Sequence, residues 1–264
     1  MLKVQMIKIS NKKLNLELKK FLQIYENRPI KDNKGGMKIN HMFGLFVLLK
    51  KLKPKYIIES GVYKGQGTWL IEKTLPKSKI YSIDIDLHQR EYISNKVIYL
   101  NKDFKFFDQK IIPEKTLAFF DDHTCSLDRI KQCKFINIKQ IIFEDNYDIG
   151  EGDFNSLKYI FKKKNFIHNI SIAAHFKTLF LFFIEIFKKM LSNKYIIDIE
   201  KITFRLRDRN NKSFASLGLK NIDYKFEFPK ISSFVKNKDI KKYLNDNYSS
   251  EQDSYNSLTF VKLK

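Results

Sequence analysis

Five apolar runs of four to six residues punctuate the N-terminal half of the chain, at residues 56–59, 79–84, 97–100, 116–121 and 140–144. None alternates apolar with polar residues as a strand with one wet face would. Each is apolar nearly throughout, as strands buried on both faces are. Stretches with helical spacing lie between them at residues 67–75, 87–95 and 125–135. Alternating buried strands and helices predict an α/β fold: a doubly wound, Rossmann-like parallel sheet with helices on both faces. Four of the runs end in a carboxylate: Glu59, Asp84, Asp121 and Glu144. The carboxyl ends of parallel strands open into one crevice, so these acids are expected to converge.

Two helices precede the first strand, over residues 11–25 and 39–52, the second stopping before Pro54. The polar stretch between them, with Pro29 and Gly35-Gly36, reads as a loop. After Asp153 the pattern changes. Residues 154–164 and 170–191 have helical spacing, and residues 200–207, 222–228 and 257–263 alternate as strands do. Residues 236–253 are polar and are expected to be partly mobile. With no internal repeat and no clean linker, residues 1–264 are expected to form a single domain.

The net charge of +21 invites a nucleic-acid partner. The lysines are scattered, however, and accompany abundant Asn, Ile and Phe, so a solvated lysine surface is preferred and nucleic acid is disfavoured. Cys125 and Cys133, eight apart and without other partners, make neither a disulfide framework nor a zinc site. The first ten residues lack the apolar core of a signal peptide. The uninterrupted apolar part of 170–191, residues 178–184, is too short to span a bilayer. The expectation is a cytoplasmic protein with no membrane span; homo-oligomerisation stays open.

The first apolar run leads into Glu59-Ser60-Gly61-Val62-Tyr63-Lys64-Gly65-Gln66-Gly67-Thr68. A strand, a carboxylate, a glycine-rich turn and a helix start are what bring a nucleotide-like ligand onto backbone N–H groups. The order E-x-G-x-x-x-G-x-G differs from the G-x-G-x-x-G of dinucleotide sites. Asp84 follows Gly61 by 23 residues and ends the second strand, where an acid accepts hydrogen bonds from a ribose diol. Asp103, after the third strand, is either a further ligand contact or a helix N-cap. The fourth strand ends Asp121-Asp122-His123 and the fifth Glu144-Asp145-Asn146. Four carboxylates in one cleft repel unless neutralised, and a hard divalent ion with oxygen ligands, most simply Mg²⁺, does this. Strand-end turns and N-caps are the alternative.

The glycine turn resembles motif I of the class I S-adenosylmethionine (SAM) dependent methyltransferases, with residues 55–153 as the SAM-binding core, 1–54 as N-terminal helices, 154–220 as a helical elaboration and 221–264 as C-terminal strands. The resemblance implies about seven strands in the order 3-2-1-4-5-7-6, with the last two antiparallel. It implies Glu59, Gly61, Gly65, Gly67, Thr68, Asp84, Asp103 and Asp121 as cofactor contacts. Residues 37–153 further resemble divalent-metal-dependent O-methyltransferases. Asp122-His123 with Asp145-Asn146 is similar to the catechol type. Asp121 or Asp122 with Glu144-Asp145 is similar to the sugar and macrolide O-methyltransferases and the cephalosporin hydroxylase-like family. The implied metal ligands are Asp121, Asp122, Glu144, Asp145 and Asn146. His123 is the candidate base, with Asp122 beside it as the second catalytic candidate; a histidine orienting an aspartate is the alternative for His123. His175, on an apolar stretch, is a distant second.

The expected activity is methyl transfer to a hydroxyl of a polar small molecule (a sugar, sugar nucleotide or glycan-linked group). The competing expectations are an RNA methyltransferase, suggested by the charge, and a non-catalytic nucleotide-binding module. The Asn/Asp-Pro-Pro-Tyr/Phe tetrad of nucleic-acid amino-methyltransferases is missing after the fourth strand, where Asp121-Asp122-His123-Thr124 stands. A phosphate-binding loop and a nucleophile elbow are also missing. Gly35-Gly36-Met37 and His41 are expected to close the cofactor site from its far side, and the 148–153 loop to form a substrate rim.

Overall fold

The computed structural model describes residues 9–147, 156–158, 222–252 and 255–264. The helices expected over 170–191 and most of 154–164, the strand expected over 200–207, and the 148–153 rim lie outside the described residues. Helix α1 (Asn11–Tyr25) opens under Ser10, whose hydroxyl accepts from Lys13 N at 3.3 Å. Helix α2 (Ile39–Leu52) ends at Lys53 in the left-handed region (φ 46°), and Pro54 prevents continuation. Then follow β1 (Tyr56–Ser60), α3 (Gln66–Thr74), β2 (Lys79–Asp84), β3 (Val97–Asn101), β4 (Thr116–Phe120), α4 (Ser126–Phe135) and β5 (Gln140–Phe143). The C-terminal part supplies β6 (Ile222–Glu227), a short α5 (Ile231–Phe234), α6 (Lys238–Gln252) and β7 (Thr259–Leu263).

Among the described residues one seven-stranded sheet runs β3-β2-β1-β4-β5-β7-β6. The first five are mutually parallel, with Ile58 opposite Tyr81 and Ala118. Strand β7 is antiparallel to β5 and to β6, which ends the sheet among the described residues. Successive residues of the inner strands point to opposite faces, and both faces are buried. Ile57, Ile80, Phe119, Ile142 and Phe260 meet α1, α2, α3 and α6, whereas Ile58, Tyr81, Phe120, Ile141 and Val261 meet Ile130 and Cys133 of α4. That two-sided burial is why the strands carry no polar alternation.

Two expectations are corrected. Residues 87–95 form turns and loop, not a helix, because their backbone is spent elsewhere. Glu91 and Tyr92 N–H both donate to Lys64 O (2.9 and 3.0 Å), and Ser94 N–H donates to the Tyr99 hydroxyl at 3.2 Å. Residues 236–253, expected to be partly mobile, contain α6 instead. Its polar residues are an outer face, while Leu244 and Tyr248 are buried; the Tyr248 ring lies 5.6 Å from that of Tyr25. No helix among the described residues is long and apolar enough to cross a membrane.

Candidate cofactor and cation site

The β1–α3 turn is built on two left-handed glycines, Gly61 (φ 94°) and Gly65 (φ 92°). A Cβ on Gly61 would stand 2.0 Å from Asp121 O, so only glycine lets the turn pass against the end of β4. Asp84 holds the turn from β2: its Oδ2 accepts from Val62 N (2.7 Å) and Tyr63 N (3.3 Å), and its Oδ1 from Asp86 N (3.0 Å). Glu59 lies beneath the turn. Its Oε2 accepts from Thr68 Oγ1 and Ser82 Oγ, both at 2.6 Å, and burial raises its pKa to about 7 against the lowering effect of those hydroxyls. Gly67 packs on it, since a Cβ there would come within 2.6 Å of Glu59 Oε1.

A cavity of about 300 Å³ opens over the strand ends, lined by Gly35, Gly36, Gly61, Tyr63, Asp84, Ile85, Asp103 and Asp121–Thr124, with Arg129 at its side. The volume lies at the low end for small-molecule sites. The 34–36 loop is tied over the turn by the Tyr63 hydroxyl, which donates to Lys34 O at 3.0 Å. Of the residues expected to touch a cofactor, the structure brings Gly61, Asp84, Asp103 and Asp121 to this cavity. It sets Glu59, Gly67 and Thr68 behind the turn, fully buried, and Gly65 at the N-cap of α3 against Tyr92 O.

Arg129 of α4, which the sequence did not single out, organises the acids on one side. Its guanidinium donates to both carboxylate oxygens of Asp103 (3.0 and 3.2 Å) and to Thr124 Oγ1, and pairs with Asp122 Oδ2 at 2.8 Å. Asp122 Oδ2 also accepts from Ser60 Oγ at 2.5 Å. Asp103 is both an N-cap, accepting from Lys105 N, and a wall of the cavity. Burial raises its pKa, but Arg129 and that N–H bring the net value below the usual carboxylate range. For Asp122 burial wins over Arg129, and the pKa is raised.

On the other side a small recess of about 10 Å³, room for a water-sized body, is walled by Phe120–Thr124 and Phe143–Asp145. Asp121 and Glu144 are both held well above the usual carboxylate range, first by burial and then by neighbouring negative charge: Glu144 and Asp145 on Asp121, Asp145 on Glu144. His41, from the first turn of α2, joins them, with Nδ1 2.6 Å from Glu144 Oε1 and Nε2 3.9 Å from Asp145 Oδ1. Asp145 Oδ1 is buried with no hydrogen-bond partner, while Oδ2 accepts from the Tyr147 hydroxyl. Asn146, expected among the ligands, is fully buried behind the recess. Its amide donates to Thr259 Oγ1 at 3.0 Å, and its carbonyl accepts from Lys158 N at 2.7 Å. His123 is exposed, in the left-handed region (φ 51°), and borders both the recess and the larger cavity. His175 lies outside the described residues.

The strand order, the left-handed glycine turn and the acids at the strand ends define a Rossmann-like fold of the class I methyltransferase type. No family model matches the chain, and no curated protein does. Among solved structures it is similar to cmcI-N160 with SAH (15% identity, 41% of this chain and 61% of that one, TM-score 0.36). It is also similar to the plantazolicin methyltransferase BpumL in complex with a pentazolic desmethylPZN analog and SAH (14%, 97% and 99%, 0.42), and to an O-methyltransferase from Bacillus cereus in complex with SAH (12%, 99% and 94%, 0.40). The chain thus spans less than two thirds of the first of these.

Proposed function

We propose that this protein is a SAM-dependent O-methyltransferase that methylates a hydroxyl of a polar small molecule, a sugar, sugar nucleotide or glycan-linked group, with the help of a divalent cation. The observation that carries the reading is the adjacency of two sites: a 300 Å³ cavity bounded by Gly61 and Asp84, and a carboxylate-walled recess that shares Asp121, Asp122, His123 and Thr124 with it. A methyl donor in the first would present its reactive group to an acceptor held at the second.

The donor set fits a hard cation. Asp121, Glu144 and Asp145 are crowded, burial and then neighbouring negative charge raise the proton affinity of Asp121 and Glu144, and Asp145 Oδ1 has no hydrogen-bond partner. These three residues would hold the ion; Asp122, engaged by Ser60 and Arg129, would position the loop instead. Bound there, the cation would lower the acceptor hydroxyl's pKa and orient its oxygen.

In the reaction the acceptor oxygen forms a bond to the methyl carbon as the carbon–sulfonium bond breaks. The sulfonium leaves as a neutral thioether, and the hydroxyl proton goes to a base. We assign the base to His123, which borders both cavities. Asp84, which holds the turn through Val62 N, would orient the ribose, and the buried Glu59 holds the turn through Thr68 and Ser82.

The test is to incubate the protein with methyl-labelled SAM and pools of sugars, sugar nucleotides or RNA, with Mg²⁺ or with chelator. Label transferred to a small hydroxyl compound and abolished by chelator supports the reading. Label in RNA, with steeply salt-dependent binding, would replace it with an RNA methyltransferase.

A further inference from the structure

His41 stands in the first turn of α2, outside the Rossmann-like core, yet it touches the tip of β5. Its side chain is only 7% exposed. Three contacts fix the ring. Nε2 bonds the main-chain oxygen of Asn256 and must donate, because a carbonyl only accepts. The ring lies 4.7 Å from that of Tyr255, tilted by 40°. Nδ1 is then aimed at Glu144 Oε1, 2.6 Å away, with one proton between them. A carboxylate pinned through one oxygen, on a residue that is itself 4% exposed, presents the other in a fixed direction. Glu144 walls the recess together with Asp121 and Asp145.

We propose that His41 is a positioning residue: by binding Glu144 Oε1 it orients that carboxylate for the divalent cation shared with Asp121 and Asp145, and so makes cation affinity depend on α2 and on the 255–256 segment before β7. The proposal rests on the cation reading above. Groups that orient metal-binding side chains contribute 10–100-fold in affinity, whereas a histidine serving only to fill the core would show no preference for which of its nitrogens is replaced.

That difference is testable on the full chain, with Mn²⁺ titrated and free ion followed by electron paramagnetic resonance, and S-adenosylhomocysteine titrated by calorimetry. His41→Ala should weaken Mn²⁺ about 10–100-fold and leave S-adenosylhomocysteine within about 3-fold, because Gly61 and Asp84 are untouched. His41→Asn places an amide donor near the position of Nδ1 and should restore Mn²⁺ to within about 3-fold of the parent. His41→Gln reaches instead toward Asn256 and should behave like His41→Ala. If the parent binds Mn²⁺ and His41→Ala binds it equally well, the positioning role is overturned while the cation site stands. Equal weakening by Asn and Gln also overturns it, as that is the behaviour of a packing residue. A parent that binds no Mn²⁺ sinks the cation site itself and this role with it. Should His41→Ala fail to fold, the Asn-against-Gln comparison decides.

Discussion

Glu59 offers a sharp test of how the glycine turn is built. Its carboxylate is 1% exposed, with Oε2 accepting two hydroxyl hydrogen bonds, and burial lifts its pKa from an ordinary 4.5 to about 7. The folded protein therefore holds this proton more tightly than the unfolded chain. A buried acid with a raised pKa stabilises the fold while protonated, so its contribution is full below about pH 4.5 and is lost as pH rises through 7. The shift of about 2.5 units corresponds to about 3 kcal/mol at 1.36 kcal/mol per unit, of which about 2 kcal/mol falls between pH 5.5 and 8.5. Glu59→Gln removes the titration while keeping a carbonyl to accept from Thr68 and Ser82. Urea unfolding of parent and variant across that range should show the variant gaining about 2 kcal/mol on the parent, with unchanged m-values. In thermal melts the gain is about 4–8 °C. Parallel stability curves would refute the reasoning: Glu59 would then be solvated or already ionised, and the turn would not rest on a buried carboxyl.

Gly61→Ala should abolish measurable S-adenosylhomocysteine binding or weaken it more than about 10-fold, since a Cβ would meet Asp121 O at 2.0 Å with φ at 94°; calorimetry reads this. Arg129→Met should destabilise the protein by about 3 kcal/mol in urea, because it strands the carboxylates of Asp103 and Asp122. The Asp103 part of that loss should shrink as pH falls through its depressed pKa, where the acid no longer needs the guanidinium. Asp145→Asn should weaken Mn²⁺ by about 10-fold or more while sparing S-adenosylhomocysteine, because Asp145 walls the recess and not the larger cavity; equal weakening of both ligands would count against separate sites.

The parallel core was legible because strands buried on both faces leave uninterrupted apolar runs, and the glycine turn because Gly61 and Gly65 need left-handed backbone. The antiparallel ending came from a family resemblance and matches β6 and β7. What stayed hidden was contact over long chain separation. Arg129 lies 26 residues from Asp103, and His41 reaches Glu144 from the helix that precedes β1; neither leaves a spacing signal. The polar face of α6 masked a helix whose few buried residues decide its place. Residues 87–95 misled in the opposite sense, their helical spacing overridden by hydrogen bonds to Lys64 and Tyr99. Sequence also left Asp121 and Asp122 equivalent, and only the side chains of Ser60 and Arg129 separate them.

Calorimetric titration of the full chain with S-adenosylhomocysteine tests the central claim most directly. One site per chain is predicted, weakened about 10-fold or more by Asp84→Asn, because the amide can no longer accept from both the turn and a ribose. No binding at about 1 mM ligand, or binding indifferent to Asp84 and Gly61 alike, would contradict it.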